Sequence, residues 1–160
     1  MSVSTSDQPW YETIVIPALL RWARTSYGET MRRALAAVGC DDIPANGMFV
    51  IGGLAMGAGD APLGVLGKQL DVSKQAAGQL VDTLVLRGYL KREVDESDRR
   101  KFSVALTERG WYAANVQREA RERIDAALVA RVGADSVSEA RKVLAAMVEI
   151  GRKEETLAAS

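Results

Sequence analysis

The chain has 160 residues, 48% hydrophobic and 26% charged, with 21 basic and 21 acidic side chains and a formal net charge of zero. This is the make-up of an ordinary globular domain able to bury a core, and it excludes a bulk polycation while leaving room for a local basic surface. Histidine is absent, which removes the commonest general base, the usual zinc ligand and the Ser-His and Cys-His nucleophile pairs. Neither a Gly-x-x-x-x-Gly-Lys-Ser/Thr loop nor a Gly-x-Gly-x-x-Gly turn occurs, so the sequence predicts no enzyme, no cofactor and no metal site. Cys40 is the one cysteine, and no intrachain disulfide can form. The start of the chain shows no basic segment followed by an apolar core. The longest uncharged stretch, Ile43 to Gly59, is 17 residues and is broken by Pro44, Asn46 and several glycines. A spanning helix needs about 20 predominantly apolar residues. The expectation is a cytoplasmic protein with no membrane segment.

Residues 1–9 are polar and expected to be disordered. A helical pattern follows, with Ile14, Ala18, Leu19 and Trp22 near one face and Met31, Ala34, Leu35 and Val38 on a second stretch. Pro17 is a break or a first-turn residue, and Gly39 a stop. Residues 41–47 read as a loop. Met48 to Met56 reads as a short buried helix, apolar nearly all round, and Gly57 to Pro62 as a turn. Leu63, Leu66, Leu70 and Val72 set a helical spacing ending in a tight turn. Ser73 is a good N-cap for the next helix, in which Ala77, Leu80, Val81 and Leu84 form one apolar face. Gln75, Gly78, Gln79 and Asp82 form the opposite face, and Gly88 closes the helix.

Tyr89 to Val94 and Phe102 to Leu106 are strand-like, joined by an almost wholly charged tip. Thr107 can cap a helix whose stripe is Val116, Ala120, Ile124, Ala127 and Leu128. Ser136 and Glu139 have the spacing of a capping box. Val137, Ala140, Leu144 and Met147 form a narrow seam suited to another helix.

The centre of the chain thus reads as helix, tight turn, helix, strand, charged loop, strand. Counted from Leu63, positions 4, 8, 10, 15 and 18 are Leu66, Leu70, Val72, Ala77 and Leu80, the internal contacts of a helix-turn-helix. Asp71 stands at the turn position where glycine is frequent, and aspartate also tolerates turn geometry. In such a motif the N-terminal turn of the second helix reaches base edges. Ser73, Lys74, Gln75, Gly78 and Gln79 occupy that turn and the outer face. Gln75 and Gln79 suit paired bonds to adenine, Lys74 suits guanine or a phosphate, and Gly78 lets the backbone approach closely. Arg99, Arg100 and Lys101 on the hairpin tip suit phosphates or a narrow minor groove, with Asp98 pairing inside the protein to fix the loop. A solvated helix face and a soluble charged turn are the alternatives for each part alone. Their order and spacing together favour DNA.

At Leu-Asp-Val-Ser-Lys-Gln (70–75), Leu-Val-Asp-Thr-Leu (80–84), Arg-Gly-Tyr-Leu (87–90), Asp-Arg-Arg-Lys (98–101) and Leu-Thr-Glu-Arg-Gly (106–110) the chain resembles the MarR family of winged helix-turn-helix transcription regulators. The family's Asp-x-Arg wing motif falls on Asp98 and Arg100. The resemblance implies a mainly α (α+β) fold: N-terminal helices over 10–56, a winged helix-turn-helix DNA-binding domain over 62–110, and C-terminal helices over 111–156, the flanks serving dimerisation. It also implies a homodimeric regulator, usually a repressor, on a palindromic double-stranded DNA site. Release would be by a small aromatic or lipophilic effector or by thiol oxidation. Trp22, Tyr27, Trp111 and Tyr112 are candidates for an effector pocket or, alternatively, core or dimer residues. Cys40 is a candidate redox sensor, although Asp41 and Asp42 beside it disfavour the anionic thiolate. The competing reading is a winged-helix protein-interaction module without DNA binding.

Overall fold

The computed structural model describes residues 8–57, 59–62, 65–66, 68, 72–94 and 102–158. They form two compact units, Met1–Arg121 and Glu122–Ser160.

In the first unit a 3-10 turn, Trp10–Thr13, precedes helix α1 (Ile16–Ala36). Pro17 lies in the first turn of α1, where a missing N–H costs nothing because those amides have no intrahelical partner. After the last turn Gly39 takes φ +75°, which lets the Cys40 amide reach back to the Leu35 carbonyl at 2.9 Å. Helix α2 (Gly47–Met56) buries Gly47, Val50, Ile51 and Leu54, one face at three- and four-residue spacing. The expectation of burial nearly all round is corrected here, because Phe49 is 54% and Met56 77% exposed.

Asp60–Pro62, expected to be part of a turn, is strand β1. It is short and sits at a sheet edge, where Pro62 withholds no hydrogen bond that the sheet needs. Val65, Leu66 and Lys68 are helical, and Leu66 is buried. Helix α3 spans Lys74–Leu86, strand β2 Leu90–Val94 and strand β3 Phe102–Leu106. The antiparallel sheet runs β1-β3-β2, with Asp60 opposite Ala105 and Leu90 opposite Leu106. Central β3 is therefore buried at Val104, Ala105 and Leu106 alike.

Helix α4 (Glu108–Val132) buries Gly110, Ala113, Ala114, Gln117 and Ala120 in the first unit. Small side chains there let its backbone come close to the sheet. The expected stripe on this helix holds only in its first half. Val116 and Ile124 are half-buried and Ala120 is buried, whereas Ala127 and Leu128 are exposed. One core joins these elements: Leu35 of α1, Val50, Ile51 and Leu54 of α2, Val81 and Leu84 of α3, Tyr89, and Leu90, Val104 and Leu106 of the sheet.

In the second unit α4 ends at Val132 and α5 (Ala134–Ala158) begins after the single residue Gly133, at φ +84°. Ser136 is therefore inside the helix and not at its cap, which corrects the expected capping box. Glu139 instead bonds Lys142 at 2.6 Å. Arg141 and Asp125 bring the two helices together at 4.0 Å. On the expected seam Val137 is half-buried, and Ala140, Leu144 and Met147 are exposed.

Candidate nucleic-acid interface

Helix α3 begins where the sequence places its cap. The Ala76 amide donates to Ser73 Oγ at 3.1 Å, satisfying one of the free amides of the first turn. Ala77, Val81 and Leu84 are fully buried and Leu80 half-buried, which fixes the roll of the helix about its axis. Gln75 and Gln79, one turn apart, are consequently exposed together, with Asp82 a further turn on and Gly78 half-buried between. An added methyl group at Gly78 would meet nothing within 4 Å, so close backbone approach by a ligand is open there. Ser73 is exposed at the same end. Gly88 at φ +76° ends the helix, with the Tyr89 amide returning to the Leu84 carbonyl at 2.9 Å.

Strands β2 and β3 follow as the two sides of a wing, in register from Leu90–Leu106 to Val94–Phe102. Its tip, with Asp98, Arg99, Arg100 and Lys101, lies outside the described residues, as do Leu70 and Asp71. Arg92 of β2 crosses to α3 and donates through Nη2 to Asp82 Oδ1, tying helix to wing.

A second set of polar contacts holds the far end of α3. Arg87 Nη1 donates to the Asp42 carbonyl, and Tyr89 Oη donates to Asp42 Oδ1. Arg109 Nη2 donates to the same Oδ1 at 3.2 Å, Arg109 Nη1 to the Arg87 carbonyl at 2.7 Å, and the guanidinium lies 4.3 Å from the centroid of the Tyr89 ring. Thr107 caps α4 by accepting from the Gly110 amide at 3.1 Å, and its hydroxyl donates to the Gly88 carbonyl at 2.6 Å. The α1–α2 connection, the end of α3 and the start of α4 are thus held at one carboxylate.

The Tyr89 hydroxyl, then the Arg109 charge, hold Asp42 below the usual carboxylate range, opposed by partial desolvation. Burial first, then the bond to Asp42, push the Tyr89 phenol well above its ordinary value. A lowered carboxyl pKa stabilises fully above the unfolded value, about 3.9, and the gain is lost as pH falls through the folded one. A raised phenol pKa stabilises fully below about 10, and that gain is lost as pH climbs past it. Asp42→Asn is therefore expected to flatten the acid limb of a urea-midpoint profile below about pH 4. An acid limb as steep as that of the unaltered chain would place the carboxylate outside this network.

Of the four aromatic candidates, Trp111 borders one of the two cavities described below, and Trp22, Tyr27 and Tyr112 border neither of these two. Trp22 on α1 and Tyr112 on α4 are exposed and Tyr27 is half-buried. Trp111 covers the Gly59 turn, where an added methyl group would lie 2.6 Å from its ring. Trp111 also borders a cavity of about 140 Å³ with Asn115 and Arg118. A larger cavity, about 590 Å³, opens beside it between α1, α2 and α4 and is walled instead by Met31, Met48, Phe49 and Met56, with Arg24 and Arg121. Gln117 borders both cavities, is 3% exposed, and its Nε2 has no hydrogen-bond partner among the described residues. Cys40 is buried.

No group of His, Cys, Asp or Glu that could hold a metal occurs among the described residues. No described helix is long and apolar enough to cross a membrane.

An exposed glutamine row on a capped helix, followed by a two-stranded wing on a three-stranded sheet, is the geometry of a winged helix-turn-helix. Residues 44–101 match the MarR family model. Over that stretch the chain is similar to the MarR family. Solved MarR-type structures share the fold over most of its length. A MarR transcriptional regulator from Methanosarcina mazei Go1 is 22% identical with a TM-score of 0.71, covering 86% of this chain and 96% of that one. A MarR variant from E. coli, complexed with operator DNA, is 21% identical with a TM-score of 0.67, covering 88% and 98%. S. aureus MepR, a variant bound to an oligodeoxyribonucleotide, is 17% identical with a TM-score of 0.56, covering 85% and 97%. Among curated proteins none matches the chain.

The spacing of the sequence locates α3, its cap and both wing strands. It does not locate the Asp82–Arg92 tie, the Asp42 network or the Gln117 cavity. Asp82 and Arg92 are each visible, but only the fold sets a strand beside that face of the helix. Asp42, Tyr89 and Arg109 are too far apart in sequence for any local signal to join them.

Proposed function

We propose that this chain is a sequence-specific double-stranded DNA-binding transcriptional regulator, a repressor that acts as a homodimer on a palindromic operator. The observation that carries the reading is the exposed row of Gln75 and Gln79 on a capped helix whose roll is set by a fully buried opposite face. Amide side chains on that row can make paired bonds to adenine, and the capped first turn, with Ser73, Lys74 and Gly78, is the part of such a helix that approaches bases. Arg99, Arg100 and Lys101 on the wing would supply phosphate or minor-groove contacts, steadied by Asp98. The DNA complexes of the E. coli and S. aureus proteins, which share this fold, support the same mode of use.

Dimerisation is supported by the apolar side chains that α5 exposes, Val143, Leu144, Met147, Val148 and Ile150. A two-fold dimer would present its α3 helices one DNA turn apart, about 34–36 Å. Effector release is supported by the 590 Å³ cavity, a volume suited to a drug-sized ligand. Its methionine and phenylalanine walls favour a lipophilic or aromatic body, and the unpartnered Gln117 amide favours an acceptor group on it.

Binding-site selection with the purified protein, followed by anisotropy titrations over a salt series, tests the reading. Gln79→Ala is expected to cost about 1–3 kcal/mol at the selected site and to relax its base preference. Arg100→Ala is expected to weaken selected and scrambled duplexes alike and to reduce the salt slope by about 1 for each copy of the chain bound. Absence of binding at low salt would instead favour a winged-helix protein-interaction module.

A further inference from the structure

A carboxylate on the face of a helix meant for DNA requires an explanation. Asp82 continues the Gln75–Gln79 row one turn further along α3, so in the DNA-bound reading its negative charge lies on the side that meets the duplex and would repel the phosphate backbone. Arg92 meets it from strand β2, and both side chains keep contact with solvent, 40% exposed for Arg92 and 64% for Asp82. The other cation of β2, Lys91, is also neutralised within the protein, by Glu93 at 2.6 Å. The strand leading to the wing therefore presents no unpaired Lys or Arg.

Resting on the DNA-binding reading above, we propose that Asp82 holds Arg92 back from the DNA backbone and so acts as a specificity-determining residue. A guanidinium free to reach a phosphate would add a contact of equal worth at every sequence. Binding would tighten everywhere, and most noticeably at wrong sites, where phosphate contacts are nearly all there is. Sequestering Arg92 withholds that uniform gain and leaves discrimination to Gln75 and Gln79. The pair's service lies in what it prevents, since an exposed ion pair contributes little to folding.

The test uses the full chain as unaltered protein, Asp82→Asn, Asp82→Ser and Asp82→Asn combined with Arg92→Gln, each titrated on the selected operator and on a scrambled duplex over a salt series. Both single variants should bind the scrambled duplex more tightly. The plot of log K against log salt should steepen by about 0.9 for each copy of the chain bound. The ratio of operator to scrambled affinity should fall. The double variant should return the slope to the unaltered value, because the new contact is made by Arg92 itself. Melting temperatures should be nearly the same for all four proteins, which separates the effect from folding. An unchanged slope in Asp82→Asn overturns the proposal, as does a steeper slope that survives in the double variant. If the unaltered chain binds neither duplex, the DNA-binding reading falls, and this inference with it. Normal binding by the unaltered chain with no slope change in the variants removes this inference alone.

Discussion

Gly110→Ala is expected to destabilise the first unit by about 3 kcal/mol or more, beyond the usual cost of an overpacked site. A methyl group there would lie 2.2 Å from the Tyr89 carbonyl oxygen, 3.2 Å from its carbon and 2.9 Å from Leu106 Cδ2. Two of those three atoms are backbone and cannot rotate away. The Tyr89 carbonyl is already held, accepting from the Thr107 amide at 3.1 Å. Relief would have to come from moving the start of α4 off the sheet, which breaks the Thr107 cap and the Arg109 contacts together. Urea unfolding checks the prediction. A loss below about 1 kcal/mol would show that α4 can shift at little cost. Gly151→Ala is the control, since a methyl group there meets nothing within 4 Å.

Leu84→Ala is expected to cost about 3 kcal/mol, within the 2–5 kcal/mol range for deleting a buried leucine. Leu84 is fully buried on the inner face of α3, and its Cδ2 reaches to 3.1 Å from where a Gly47 side chain would begin. The glycine lets α2 and α3 approach closely, so removing the leucine opens space that backbone already lines and that neighbours fill poorly. Denaturant midpoints give the size of the loss. Because the outer row of α3 keeps its roll only while this face is buried, operator affinity should fall further as temperature rises, faster than for the unaltered chain. Retained stability would mean that the core collapses onto the site, and the argument for the roll of α3 would fail.

The wing and its helix were legible in the sequence because their signals are local. Ser73 announces a cap, Ala77, Val81 and Leu84 repeat at helical spacing, Gly88 marks a stop, and Phe102 to Leu106 alternates enough to read as a strand. What stayed hidden depends on partners far along the chain. Asp60–Pro62 is a strand only because β3 offers its free edge; its composition alone is that of a turn. Ser136 and Glu139 have capping-box spacing, yet Gly133 breaks the chain earlier and the helix has already begun. Phe49 and Met56 look like core residues but face outward, since Val50, Ile51 and Leu54 suffice to cover the sheet side of α2. At the candidate site, the residue types that would touch DNA were visible, and the ties that orient them were not. Gln117 gave no signal either, because a glutamine on a helix is unremarkable until burial leaves its Nε2 without a partner among the described residues.

The small strand β1 has a mechanical meaning. The carbonyl of Leu54, near the end of α2, accepts from the amides of Gly57 and Gly59, and the carbonyl of Gly59 accepts from Leu106 in the middle strand. The backbone of Gly59 thus ties the middle strand, at the wing's root, directly to the last turn of α2, which carries Met56, with no side chain in the linkage.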